Sequence, residues 1–341
     1  MKLVVTGGAG FIGSCFVRLA LRERWAEQVI NLDKLTYAGN LENVTEVSDH
    51  PGYSFVQADI CDEDAVNRLF ATESPDAVIH FAAESHVDRS IHSPDPVIRT
   101  NVNGTFTLLE AARRHRVPRF IHVSTDEVYG SVDPPHEADE GYPLHTSSPY
   151  SASKAGSDLL ALSYHTTYKL NVSVTRASNN YGPFQFPEKL IPLMISNALE
   201  DKPLPVYGDG QQVRDWLYVE DHCRAVFAVL EKGALGEIYN IGGNCSLPNI
   251  EVVRRILKAT GKPESLITRV ADRPGHDRRY ALTNAKLTRQ TGWHPRVNFD
   301  TGLMNTIEWY RRNQEWVRRI KTGEYRHFYE LNYTNRAREL A

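Results

Sequence analysis

Cysteine is scarce in this chain, net charge is small, and there is no long apolar run. The four cysteines, Cys15, Cys61, Cys223 and Cys245, lie far apart without a CxxC pair. That excludes a zinc ribbon or a dense disulfide scaffold and favours a reducing compartment, so a cytoplasmic location is expected. The 13 histidines show no HxH or HxxxH spacing, and no metal site is expected. Without a stretch of about 18 apolar residues, no membrane span is expected. The opening MKLVVTGGAGFIGSCFVRLAL superficially resembles a signal peptide. Gly7, Gly8, Gly10 and Gly13 interrupt it and Arg18 follows, so it reads as part of the fold. With 39 basic and 42 acidic residues the net charge is −3, which gives no general attraction to nucleic acid or anionic membrane. An anionic ligand must therefore be held by a local site.

The composition is otherwise ordinary, at 41% hydrophobic and 24% charged residues, which excludes a disordered chain. A length of 341 residues suggests about two domains. Short apolar runs at 3–6, 29–32, 53–57, 77–81 and 120–124 alternate with helix-length segments such as 102–115. This alternation implies an α/β fold, a Rossmann-type doubly wound parallel sheet. A long helix is expected at 150–169 and a sixth strand at 172–175. Proline and glycine then punctuate 181–210, marking excursions into a smaller, interleaved C-terminal substrate domain. The expected division is 1–180, with 214–242 returning to it, against 181–213 and 243–330.

Thr6-Gly7-Gly8-Ala9-Gly10-Phe11-Ile12-Gly13 directly follows the first strand and opens a helix. Glycines there permit a tight turn and close approach of backbone to a pyrophosphate, whose charge meets the helix N-terminus. A lone glycine motif is weak. Here a carboxylate, Asp33, ends the second strand 20 residues after Gly13, where it would accept from ribose hydroxyls and repel a 2′-phosphate. The pattern therefore favours NAD over NADP. Asp59-Ile60, ending the third strand, suits the adenine edge, although an Asp there is as often a helix cap.

Two further patterns carry chemistry. Tyr150-Ser-Ala-Ser-Lys154 places a phenol and an ammonium on one helix face. A phenol of pKa about 10 is a poor base near pH 7. A neighbouring ammonium, or a positive nicotinamide ring, would stabilise the phenolate. Thr125-Asp126-Glu127 ends the fifth strand, at the carboxyl edge where open α/β sheets bind ligands. Thr125 suits a substrate hydroxyl, and Asp126 and Glu127 form a candidate acid and base pair. In isolation, a YxxxK pair is usually a surface helix and a DE pair a solvated turn.

Together with Asp33-Lys-Leu-Thr-Tyr-Ala-Gly-Asn40, the AAESHVDR stretch at 82–89 and STDEVYG at 124–130, these motifs resemble the extended short-chain dehydrogenase/reductase superfamily. Within it they are similar to the dTDP-glucose 4,6-dehydratase family. The match continues through NNYGPFQ at 179–185, PVYG at 205–208, RDW at 214–216 and RPGHD at 273–277, up to about residue 309. The tail from Tyr310 carries no usable motif. Related nucleotide-sugar epimerases generally lack both acids after the threonine, and decarboxylases typically have Ser in place of Asp126. Either activity, or a non-catalytic NAD-sensing protein on the same fold, is the alternative.

The resemblance implies a lyase acting through tightly bound NAD, with Thr125, Asp126, Glu127, Tyr150 and Lys154 as the catalytic set. The sugar is oxidised at C4, water is lost across C5 and C6, and hydride returns to C6, giving a 4-keto-6-deoxy precursor of deoxysugars such as rhamnose. Tyr150 takes the 4-hydroxyl proton, Glu127 the C5 proton, and Asp126 protonates the leaving 6-hydroxyl. Which acid holds the proton at rest is left open. For NAD the resemblance implies Gly7, Gly10, Phe11, Ile12, Gly13, Asp33, Lys34, Leu35, Thr36, Asp59, Ile60, Phe81, Ala82, Ala83, Thr100, Tyr150, Lys154 and Asn180. For the nucleotide sugar it implies Ser85, Thr125, Asn179, Lys189, Leu190, Pro205, Val206, Tyr207, Arg214, Asn249, Arg273 and His276. Arg214 and Arg273 suit the pyrophosphate, since a guanidinium fork matches phosphate geometry, and Tyr207 the pyrimidine. A homodimer through a four-helix bundle, using 102–115 and 157–168, is also expected.

Overall fold

The structure, a computed structural model, describes residues 1–321 and Tyr333. The stretch 322–330 of the expected second domain lies outside the described residues. Apolar runs rich in β-branched residues form strands buried on both faces. In chain order the strands are β1 (Lys2–Thr6), β2 (Gln28–Asp33), β3 (Tyr53–Gln57), β4 (Ala77–His80), β5 (Arg119–Thr125), β6 (Val172–Ala177), β7 (Asn179–Tyr181), β8 (Leu204–Tyr207), β9 (Val213–Tyr218), β10 (Ile238–Ile241), β11 (Ser246–Pro248) and β12 (Ile267–Val270). Seven of them form one parallel sheet of order β10-β6-β5-β4-β1-β2-β3. The order reverses between β1 and β4, the position at which doubly wound sheets open a crevice for ligand.

The helices are α1 (Phe11–Arg22), α2 (Glu63–Glu73), α3 (Val87–His92), α4 (Asp95–Val97), α5 (Thr105–Arg114), α6 (Pro149–Tyr168), α7 (Leu190–Leu199), α8 (Val219–Lys232), α9 (Asn249–Thr260), α10 (Ala285–Thr291), α11 (Phe299–Arg312) and α12 (Gln314–Ile320). On one face of the large sheet α1 and α8 bury Phe16, Val17, Leu19, Val226 and Val229. On the other, α2, α5 and α6 bury Leu69, Phe70, Leu108 and Ala161. Complete burial of such side chains is worth about 1.5–3 kcal/mol each, so packing more than helix propensity fixes these elements. A second core gathers α7, α9 and α11 over the two-stranded β8–β12 sheet, with Leu193, Val253, Ile256, Leu303 and Ile307 inside. The three-stranded sheet β11-β9-β7 runs beside it.

Local signals set the start of α6. Ser148 accepts from the Ser151 amide, the Ser151 side chain answers the Ser148 amide, and Pro149 occupies the first turn. The expected regular helix over 102–115 differs from the structure. A π-helical turn, Ile98–Gly104, precedes α5. Within it the Asn101 side chain accepts from the Glu84 amide and donates to the Glu84 carbonyl, both at 2.9 Å. The widened turn points Asn101 at the loop after β4, a tertiary demand that helical periodicity does not record.

Candidate active site

A cleft of about 340 Å³ opens over the carboxyl ends of β1, β2 and β4–β6, and a smaller cavity of about 130 Å³ adjoins it. Gly7 sits at φ +72°, and a Cβ on it would lie 2.6 Å from the Ala82 amide nitrogen. A Cβ on Gly13 would meet the Gly7 carbonyl oxygen at 2.2 Å. Only glycine permits both approaches. Gly10 caps α1 without a side-chain hydrogen bond, so the first-turn amides of this twelve-residue helix face the cleft uncapped. That arrangement fits a dinucleotide pyrophosphate.

Asp33 accepts from the Ala9 amide at 2.9 Å and the Leu35 amide at 2.8 Å. Burial raises its pKa, with the two amides opposing. Each oxygen retains a second lone pair for a ribose hydroxyl. Lys34 Nζ lies 2.7 Å from Asp59 Oδ2. Asp59 Oδ1 takes the Cys61 amide in a local turn, while Asp62 is the residue that caps α2. The expected dinucleotide residues line the cleft, with one exception. Leu35 is not in the wall. Its φ of +59° turns the chain, and its amide steadies Asp33.

Tyr150 and Lys154 are both buried in the cleft beside Thr125, Asp126 and Glu127. Lys154 Nζ donates to the Val123 carbonyl at 2.7 Å. Burial and the Glu127 carboxylate push Tyr150 well up, and only the Thr125 hydrogen bond opposes them. Asp126 is 3% exposed, and burial, then the Glu127 and Asp215 charges, raise it well above the carboxylate range. The direction favours the protonated form of Asp126. Its Oδ2 has no hydrogen-bond partner among the described residues.

The adjoining cavity gathers the expected substrate residues Asn179, Lys189, Leu190, Pro205, Val206, Tyr207, Arg214, Asn249, Arg273 and His276. Ser85 and Thr125 lie instead in the larger cleft. Arg214 spends two nitrogens on backbone carbonyls, those of Val213 and Asp277, and its guanidinium lies 4.1 Å from the Tyr280 ring centroid. Tyr207 stacks on Tyr333, centroids 5.6 Å apart. Glu127, Asn179, Glu188, Lys189, Leu190 and Trp216 line both cavities.

Sequence reasoning missed Glu188, Tyr280, Trp216, His222 and Tyr333, all lining residues. Glu188 is the most consequential. It is buried, accepts from the Tyr37 hydroxyl at 3.0 Å, and pairs with Arg89 at 3.4 Å. Arg89 in turn covers the Tyr37 ring at 3.8 Å. This strap ties the loop after β2 to the segment entering α7. No local signal marks it, because its partners Tyr37 and Arg89 lie 151 and 99 residues away in the chain.

A protein-family model described as GDP-mannose 4,6 dehydratase matches residues 4–306. A dTDP-glucose 4,6-dehydratase of Shigella flexneri is 52% identical, over 98% of this chain and 100% of its own length. The crystal structure of the Streptomyces venezuelae dTDP-glucose 4,6-dehydratase DesIV, solved with NAD bound, is 50% identical at a TM-score of 0.92, covering 94% of this chain and 100% of that one. A Thermus thermophilus UDP-glucose 4-epimerase solved with NAD is more distant, 34% identical at a TM-score of 0.85, over 92% of this chain and 100% of its own. With an adjacent acid pair at the end of β5 and full-length relatives at this identity, the chain belongs to the dTDP-glucose 4,6-dehydratase family.

Proposed function

We propose that this protein converts dTDP-glucose to dTDP-4-keto-6-deoxyglucose and water, as an NAD-dependent lyase supplying deoxysugar biosynthesis. The observation that carries the reading is Asp126. It is a buried acid whose pKa is raised, set beside a second carboxylate, Glu127, in the cleft that holds Tyr150 and Lys154. An epimerase has no use for such an acid, because it expels no hydroxyl.

The large cleft holds the cofactor, with the α1 amides on its pyrophosphate and Asp33 on its ribose. The smaller cavity, lined by residues 205–207, Asn249 and Arg273 together with residues 86–88 and Arg214, holds the nucleotide. The sugar lies where the two meet, at Glu127 and Asn179. Bound NAD supplies a hydride acceptor for C4, a hydride donor for C6, and a positive ring that favours a phenolate beside it. Tyr150 takes the proton of the 4-hydroxyl, oriented by its bond to Thr125. Lys154 adds positive charge behind the phenol. Glu127 removes the C5 proton, made acidic by the new ketone, while Asp126 delivers its proton to the departing 6-hydroxyl. Burial raises the pKa of Asp126, the direction that the acid role needs.

Incubation with dTDP-glucose tests this directly. The absorbance of the 4-keto product should rise without net NADH. Deuterium at C4 should appear at C6, and solvent deuterium at C5. Persistent NADH with 4-keto-glucose released would mean a simple dehydrogenase, and a product retaining the 6-hydroxyl an epimerase.

Asp33→Ala should narrow the preference for NAD over NADP, because the carboxylate repels a 2′-phosphate. Titration of both nucleotides against both proteins checks this, and equal affinities in the unsubstituted protein would refute the role. The protein is read as a cytoplasmic homodimer. Phe106 on α5 and Leu159 on α6 are 48% and 58% exposed, a large apolar cost on two adjacent helices unless a second copy covers them. Light scattering should give twice the chain mass at micromolar concentration, and Leu159→Glu should give a monomer.

A further inference from the structure

Asp158 lies one turn beyond Lys154 on α6, so Tyr150, Lys154 and Asp158 follow one another along a single face. It is fully buried. Its Oδ2 accepts from Arg176 Nε on β6 at 2.8 Å, and its Oδ1 lies 3.3 Å from His122 Nε2 on β5. Arg176 is fixed in turn by the Tyr129 hydroxyl at 3.0 Å, which donates to Asn240 at 2.7 Å. The titratable and charged groups packed around Lys154 are His80 from β4, His122 from β5, Arg176 from β6, and Tyr150 and Asp158 from its own helix. Burial holds both histidines neutral, His122 at about 4 and His80 well below its ordinary value. Asp158 is thus the anion of the group.

We propose that Asp158 is a positioning residue for this reaction: its carboxylate, anchored by Arg176, keeps the buried Lys154 charged and so keeps Tyr150 competent as a base. The proposal rests on the roles given above to Tyr150 and Lys154. Burial brings Lys154 down to about 8, and Asp158 is the charge that opposes the fall. Burial also works to raise Asp158, but the nearby His122 ring and the Arg176 charge outweigh it, so the carboxyl stays below its ordinary value. A buried ammonium deprived of its anion gives up its proton nearer neutrality.

The test is the pH profile of turnover with dTDP-glucose and NAD. Asp158→Asn should move the alkaline limb down by about one pH unit, a roughly fivefold loss at pH 8, with turnover within about threefold of wild type at pH 6 and KM unchanged. Asp158→Glu should restore the limb. Because Asp158→Asn leaves Arg176 unpaired, the double variant Asp158→Asn with Arg176→Gln, which buries no lone charge, provides a second route to the same shift. An unmoved limb in either folded variant overturns the proposal. It is also overturned if neither folds while Asp158→Glu does, since the carboxylate would then serve folding. Lys154→Met separates the two readings. If it keeps normal turnover, the roles of Tyr150 and Lys154 fail. If it is inactive while Asp158→Asn keeps the limb, only the role of Asp158 fails.

Discussion

Tyr150→Phe should slow oxidation at C4 by about 10²–10⁴-fold, the usual worth of a positioned base, and every later step should fall with it. The ring keeps its volume, so no cavity opens and the melting temperature should hardly move. What is lost is the hydroxyl that meets Thr125 and accepts the sugar proton. In single-turnover mixing with dTDP-glucose, no transient NADH should appear and the sugar should be recovered intact. A Phe variant that still reduces NAD at the ordinary rate would transfer the base role elsewhere, with Glu127 the nearest remaining carboxylate in the cleft.

Asp126→Asn should fail later and in a visible way. The base remains, so C4 is oxidised, but an amide cannot deliver a proton to the 6-hydroxyl. Water loss should slow by about 10²–10⁴-fold, and enzyme-bound NADH with 4-keto-glucose should build up. Rapid quench with mass spectrometry of the bound sugar reads both. Dehydration at the normal rate would remove the main reason for assigning this chemistry. The same substitution should alter stability in the opposite sense to activity. The folded state raises the Asp126 pKa above its unfolded value. The stability it contributes is therefore full below the unfolded pKa and declines as pH rises toward the folded one. Asparagine carries no such dependence. The melting temperature of Asp126→Asn should exceed that of wild type at pH 7, by a margin that widens from pH 5 upward.

The features legible in the sequence were the ones carried by short-range patterns. The glycine turn, Asp33 at the end of β2, the acids at the end of β5 and the Tyr150/Lys154 pair each need only neighbours in the chain, and the alternation of apolar runs determined the sheet. The features that were not legible depend on packing between distant segments. The raised pKa of Asp126 comes from burial and from Asp215, on another strand. The π-helical turn before α5 answers to Glu84. Leu35 could be matched to a motif, but that its amide rather than its side chain matters required the backbone. The i, i+4 spacing puts Lys154 beside Tyr150, but the hydrogen bond that holds its ammonium goes to the Val123 carbonyl, a partner that spacing along α6 cannot name.

The strap of Tyr37, Glu188 and Arg89 has a kinetic consequence. It joins the loop after β2 to the segment entering α7, two parts of the cofactor-cleft wall, and resists their parting. A reaction that returns its hydride to the sugar leaves the nucleotide as it began, so turnover never calls for that parting. Residence time and catalytic cycle are thereby decoupled: one dinucleotide serves many sugars, and its loss follows the slow clock of an opening that chemistry does not drive. Gel filtration should leave the nucleotide with the protein, whereas Glu188→Gln, which weakens the strap without touching the glycine turn, should let it wash away.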